Sequence, residues 1–469
     1  MDRSSRIRLP GKSFPLHACT DDSAHSHRLN HRRRLSVAVY AAGVAILTLT
    51  WFPVEVAAAH QSDKVNPQAR LLRPVVQKCI KNPEIYSDEK ARFDEYFQTY
   101  FFPSMTQTEP ELLGLLGERR KELVERYLWA SDNSELQSDL TKMSFDFAKK
   151  VAGNRNYHPA VRLNATLLLG SLDAKYSDKV NNPPTPYPAA TQTLLKIVEL
   201  AADNDPRVTP PMLAAALIGL ERQAQSRENL SPQVKNEFKQ TLLRIVNQPE
   251  LSKEMDSDVQ YWLKRVAASA LAELSKTSTD NQIVTDLMSL ISAPDMPLED
   301  RCQVAVILTK IPLEEKQVST DAVAKGLVLL TDTVANKAAE KAVEFEDMRI
   351  GKRPGRANLP GRVMRGSQEL EFDRRRLLSQ LENLNTALEV IKPLTSEKIQ
   401  VAVDDVLIAI QPVQEAAKDK EVADLTLTEF IRQMAADVNL AAELGLSEDQ
   451  DPVTTESQDD LELEDKPAN

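Results

Sequence analysis

Few residues in this chain have the type and spacing to do chemistry. It holds 6 histidines and 3 cysteines, and beyond residue 59 only His60, His158, Cys79 and Cys302 remain. A zinc site takes about four His, Cys or carboxylate ligands at close spacing. These four residues are far apart in the chain, so a metal cluster would rest mainly on carboxylates. A Ser-His-Asp or Cys-His site would have to use His60 or His158. His158 stands directly before Pro159, where turn and helix-cap residues belong, and it reads as a structural residue before a catalytic one. The chain has no G-x-G-x-x-G and no P-loop. Paired-carboxylate chemistry stays open, since Asp and Glu total 69. A glycosidase on a helical scaffold would normally stack sugars on tryptophan, and only Trp129 and Trp262 lie beyond residue 59. Cys79 and Cys302 fall on apolar helical faces, which favours buried free thiols, although an oxidising compartment would permit a disulfide. No metal, cofactor or small-molecule ligand is expected.

The elements that must position these residues are helices. Glycine is only 13 of 469 residues and aromatics are 5%, a composition that points away from strand-and-turn architectures. The net charge of -11 argues against a general nucleic-acid binder. The length allows two or three domains, or one long repeat array.

Residues 1–59 read as a signal peptide. A long basic region ends in Arg32, Arg33 and Arg34, and an apolar core spans 35–52. Pro53 and the small residues Ala57, Ala58 and Ala59 follow. Cleavage is expected after Ala59, with His60 as the first mature residue. The competing outcome is retention of 35–54 as a membrane anchor, since this uncharged run of 20 residues is just long enough to span a bilayer. Either way the body is exported, to the periplasm or beyond. Residues 60–469 carry 50 basic and 65 acidic groups, a net charge of -15.

The most informative stretch runs from Tyr157 to Leu172. Pro159 suits the first turn of a helix. Val161, Ala165, Leu168, Leu169 and Leu172 then recur at helical spacing, and Ala165 and Gly170 are small enough to let a neighbouring helix approach closely. The stripe returns at Ala214 to Gly219, at Leu263 to Leu274 and at Val304 to Ile311. Aligning Ala165 with Ala214, Ala267 and Val304 gives steps of 49, 53 and 37 residues. Preceding helices are expected at 134–152, 189–203, 231–248 and 279–292.

On these residues, 134–312 resembles HEAT repeats. The motif is Asn/Asp/His-Pro-x-Val-Arg-x-x-Ala followed by Leu-Gly, best kept from Pro159 to Gly170. The second copy carries the insert Pro210-Pro211, and the third and fourth lack the Pro and the Gly. As a whole the chain looks like a secreted bacterial HEAT-like protein. The resemblance implies an all-α fold, a right-handed α-α superhelix used for macromolecular recognition, and implies no chemistry.

Around the repeats, 60–133 reads as a helical N-terminal cap, 313–348 as a helical continuation and 367–446 as C-terminal helices. Phe93, Tyr96, Phe97, Tyr100, Phe101 and Phe102 are expected to be core, with Phe93, Phe97 and Tyr100 on one face. Helices are expected at 396–411 and 425–442, the latter burying Phe430, Ile431, Met434 and Val438. Residues 349–366 hold six basic groups and no acid, broken by four glycines and two prolines, which predicts a loop. Such a segment is either a linker or a site for an anionic partner. Its candidate binding residues are Lys352, Arg353, Arg356, Arg362 and Arg365. The tail 447–469 carries 9 acidic groups against Lys466 and lacks apolar periodicity, so it reads as disordered.

The functional expectation is a non-enzymatic scaffold of the bacterial cell envelope that recognises a protein partner through a helical-repeat groove. No nucleic acid is expected, and membrane contact only through a retained 35–54 segment. The alternative is a carboxylate-using lyase or hydrolase on a helical scaffold, or the same scaffold anchored in the membrane.

Overall fold

Proline opens four helices in succession. Pro159, Pro188, Pro210 and Pro232 each occupy the first position of a helix in the computed structural model, where a missing N–H costs nothing and the fixed φ is already helical. Side chains cap one of these starts and those of other helices. Asn133 accepts from the N–H groups of Glu135 and Leu136, Ser231 from that of Val234, and Asp256 from that of Asp258.

The structure describes residues 60–131, 133–176, 183–253, 255–276, 281–315, 318–349 and 362–446, leaving aside the side chains of 315, 348–349, 362–372 and 446. The signal-peptide reading of 1–59 and the acidic tail 447–469 lie outside these residues. So do Lys352, Arg353 and Arg356.

The helices are α1 (Arg73–Lys81), α2 (Tyr86–Tyr96), α3 (Phe102–Ser104), α4 (Pro110–Gly114), α5 (Leu116–Glu122), α6 (Ser134–Gly153) and α7 (Pro159–Gly170). There follow α8 (Pro188–Ala202), α9 (Pro210–Ala224), α10 (Pro232–Asn247), α11 (Ser257–Ser275), α12 (Gln282–Ser292) and α13 (Leu298–Leu308). The last four are α14 (Thr320–Arg349), α15 (Arg362–Ile391), α16 (Glu397–Lys418) and α17 (Asp424–Leu446). Among the described residues the only sheet is an antiparallel pair, β1 (Asp173–Lys175) with β2 (Thr185–Pro186). The all-α expectation holds.

Packing follows two rows. One runs α7, α9, α11, α13 and α15, each helix resting on the next. The other runs α6, α8, α10, α12 and α14. Each helix of one row also packs on its sequence neighbour in the other, and α16 and α17 pack against α14 and α15. Between α7 and α9 the approach is as close as backbone allows. A Cβ added to Gly170 would lie 2.7 Å from the Cα of Gly219. These two glycines stand at the same place in the aligned copies, five residues after Ala165 and Ala214. Ala165, Val161, Leu168, Leu169 and Leu172 are all buried, as their spacing predicts.

The N-terminal aromatics are core. Phe93, Tyr96, Phe97, Phe101 and Phe102 are buried, and Phe97 and Phe101 meet Tyr127 edge to face. The expected face of Phe93, Phe97 and Tyr100 needs correction. Residues Phe97–Phe101 form a π-helical turn after α2. The wider turn moves Phe101 to the inside in place of Tyr100, which is half-buried.

Three further expectations change. The ends of the expected loop 349–366 are helical: Arg349 ends α14, and α15 begins at Arg362 and takes in Arg365, while 350–361 lie outside the described residues. The helix over 396–411 continues through Pro412 to Lys418, because burial of Val413, Ala416 and Ala417 offsets the bond that Pro412 cannot donate. Phe430 is 38% exposed, while Ile431, Met434 and Val438 are buried.

Candidate functional site

The two histidines that could have carried catalysis meet, although 98 positions separate them. The rings of His60 and His158 lie 4.8 Å apart, nearly perpendicular. The chain after His60 runs along the α6–α7 connection, where the Gln61 N–H donates to Asn156 O at 2.7 Å. Tyr157 donates from its hydroxyl to Asp63 at 2.7 Å, and Lys150 bridges to Asp63 at 3.0 Å. His158 itself caps α7, its Nδ1 accepting from the Ala160 N–H at 3.2 Å. Burial, followed by the neighbouring His60, pushes its pKa down. A ring held by a capping bond with Nδ1 as acceptor serves structure, as its place before Pro159 predicts. Among the described residues no group of three His, Cys, Asp or Glu side chains could hold a metal.

Cys79 and Cys302 are free, buried thiols. Burial raises both above the ordinary thiol range, Cys302 to about 12. Burial thus favours the unreactive thiol form of both, since the thiolate is the nucleophile. Both thiols should therefore resist a thiol-specific chromogenic reagent in the native protein and react promptly in guanidinium chloride. Reaction of either at the native rate of a free thiol would contradict its burial.

The most deeply buried carboxylates are engaged. Asp173 bridges to Arg222, Glu273 to Lys276 at 2.6 Å, and Asp286 accepts from Gln282 at 2.8 Å and Asn247 at 3.2 Å. Asp94 and Asp139 diverge in pKa: burial raises the first, whereas a hydrogen bond from Lys90, working against burial, holds the second down. Trp129 is 56% exposed, beside Arg120, Lys121 and Arg222.

A different set of residues repeats. Counting three positions back from Ala165, Ala267 and Val304 reaches Arg162, Lys264 and Arg301. All three are buried, and burial lowers the pKa of each. Each reaches back to a carbonyl at the end of the preceding helix or just past it. Arg162 donates from Nε to Ala152 O at 3.2 Å, Arg301 from Nε to Ile291 O at 2.6 Å, and Lys264 to Pro249 O at 3.3 Å. These carbonyls have no partner within their own helix, and a buried one left bare is costly. The second copy has Pro211 at this position, and Ala202 O there accepts from Gln248 at 3.2 Å instead.

The first and last of these arginines differ in one respect. Arg162 also donates from Nη2 to Arg207 O, in the connection of the next helix pair. Arg301 lines a cavity of about 470 Å³ between α13, α14, α15 and α17, with the 294–297 turn. Its apolar wall includes Leu298, Val334, Ala338, Leu377, Leu427 and Ile431. Lys337, Lys341, Arg374 and Arg376 also line it. Arg374 is tied to Asp424 at 2.8 Å, but Lys341 and Arg376 sit loosely, 3.4 Å from Asp373 and 3.6 Å from Glu299. Sequence reasoning missed this site. Its one available signal was the arginine at the repeat position of Arg301. Of the five residues that the sequence offered for partner binding, Lys352, Arg353 and Arg356 lie outside the described residues. Arg362 and Arg365 lie in the first turn of α15, with their side chains not described.

Comparison with protein families, with curated proteins and with solved structures finds no match.

Proposed function

We propose that the chain is a non-enzymatic binding scaffold of the bacterial cell envelope, a right-handed HEAT-like solenoid that docks a protein partner along its stacked helix pairs. The observation that carries the reading is the recurrence of one contact at one repeat position: Arg162, Lys264 and Arg301 each satisfy a carbonyl at the end of the helix before. Helix pairs that repeat a contact and rest only on their neighbours leave a continuous surface, suited to an extended partner. The engagement of Asp173, Glu273 and Asp286 and the capping role of His158 favour this reading over the lyase or hydrolase.

The basic residues Lys352, Arg353, Arg356, Arg362 and Arg365 add an electrostatic contact to that surface, in a chain whose body is otherwise acidic. The test replaces Arg353, Arg356 and Arg362 with Ser and measures capture of partners from native envelope at low and high salt. Capture should fall at low salt and converge with the wild-type level at high salt, because exposed charges are screened over about 8 Å at 0.15 M. Equal capture at both would remove the basic residues from the interface. Turnover of a peptide or polysaccharide by the purified chain, lost on mutating a carboxylate, would overturn the scaffold reading.

A further inference from the structure

We propose that the cavity between α13, α14, α15 and α17 binds a small amphiphilic carboxylate, its acid group on Arg301 and its chain against the apolar wall. Arg301 is only 9% exposed. Its Nε is used by Ile291 O, but neither Nη has a hydrogen-bond or ion-pair partner among the described residues. Neither is sealed from solvent, and the space that the residue lines is the cavity. Its counterpart Arg162 spends Nη2 on two carbonyls, one of them from the next helix pair. At Arg301 the second acceptor is missing, and both Nη groups are left without a partner among the described residues, in a residue that lines a partly apolar cavity.

A guanidinium with free Nη groups presents a planar fork that a carboxylate matches with two bonds. Burial makes such an anion worth more there than at an exposed lysine, since an unpaired buried charge is unfavourable. The other charges of the lining largely offset one another: Lys341 pairs with Asp373, Arg374 with Asp424 and Arg376 with Glu299, and Lys337, Asp258 and Asp295 are exposed to solvent. The selective contact is therefore the buried guanidinium of Arg301. Leu298, Val334, Leu377, Leu427 and Ile431 supply the surface for an alkyl body. The volume of about 470 Å³ falls within the roughly 300–1,000 Å³ of small-molecule sites. The proposal does not depend on the protein-binding reading.

The experiment titrates the full chain with decanoate by calorimetry, with decylammonium as the ion of opposite charge and equal length. Decanoate should bind saturably and at least about tenfold more tightly than decylammonium. Arg301→Gln should weaken decanoate about tenfold. Because Arg301 also caps α12, Ala338→Phe provides a second variant, which fills the cavity and leaves that cap in place. It should weaken binding to a similar degree, with an unchanged helical circular dichroism spectrum. Absence of saturable binding, equal affinity for the two ions, or indifference to both variants would overturn the proposal. Binding seen only in a chain ending at Leu446 would overturn it as well, by assigning the cavity to the acidic tail.

Discussion

Replacing Ala165 with aspartate should destabilise the folded chain by about 3–5 kcal/mol at neutral pH. Ala165 is 1% exposed, on the α7 stripe it shares with Val161, Leu168 and Leu169. A carboxylate there finds no free cation. Arg162, one turn away, already holds Ala152 O and Arg207 O. The acid escapes by staying protonated, which sets the size of the effect. Keeping it neutral at pH 7 against an ordinary value of about 3.9 costs 1.36 kcal/mol per unit, or about 4 kcal/mol. The sign follows from a pKa raised by folding. This ionisation penalty is absent below the unfolded value of about 3.9 and grows as pH rises toward the folded value. The loss in denaturation midpoint relative to wild type should therefore be largest at pH 7 and shrink toward pH 4, where only the cost of fitting and desolvating a neutral carboxyl remains. A variant that unfolds with wild type at pH 7 would show that Ala165 does not face the core.

The glycine contact between α7 and α9 gives an effect of unusual sign. Alanine in place of an exposed helical glycine gains about 1 kcal/mol from backbone entropy alone. At Gly170 the added methyl meets the Gly219 Cα at 2.7 Å, and at Gly219 it meets the Gly170 Cα at 2.7 Å and Leu194 Cδ1 at 3.1 Å. Backbone cannot rotate out of the way as a side chain can. The two helices must separate, opening packing along their length. Gly170→Ala should lose about 1–3 kcal/mol, and Gly170→Val more. Gly117, in α5, has nothing within 4 Å of an added Cβ, and Gly117→Ala should gain up to about 1 kcal/mol. Chemical denaturation of the two alanine variants should move the midpoint in opposite directions. The double variant Gly170→Ala, Gly219→Ala should lose less than the sum of its parts, because one separation of the helices serves both methyl groups. Additive losses, or a Gly170→Ala variant more stable than wild type, would mean that the helices cross elsewhere.

Where helices begin was legible because start signals are local. Asn133 before α6, His158-Pro159 before α7 and Ser231-Pro232 before α10 act within a turn of their own position. The apolar stripe of α7 was equally plain, and so was the smallness of Gly170, since both follow from the 3.6-residue period. Local rules also mark their own limit. Pro412 reads as a stop and Tyr100 as a core residue, and packing around α16 and the π turn after α2 overrode each.

What no local pattern contains is a meeting between residues far apart in the chain. His60 beside His158, and the hydrogen bond from Tyr157 to Asp63, bridge more than 90 positions. The cavity on Arg301 depends on α14, α15 and α17, helices that begin 19 or more residues further on. Amino-acid order by itself determined that the chain is helical, which faces are apolar, and that Arg301 stands where Arg162 and Lys264 stand. Whether a guanidinium at that position finds a second carbonyl for its Nη groups, as Arg162 does, or lacks one, as Arg301 does, is decided by the next helix pair. That placement is set by the summed packing of many side chains and carries no signature at the arginine itself.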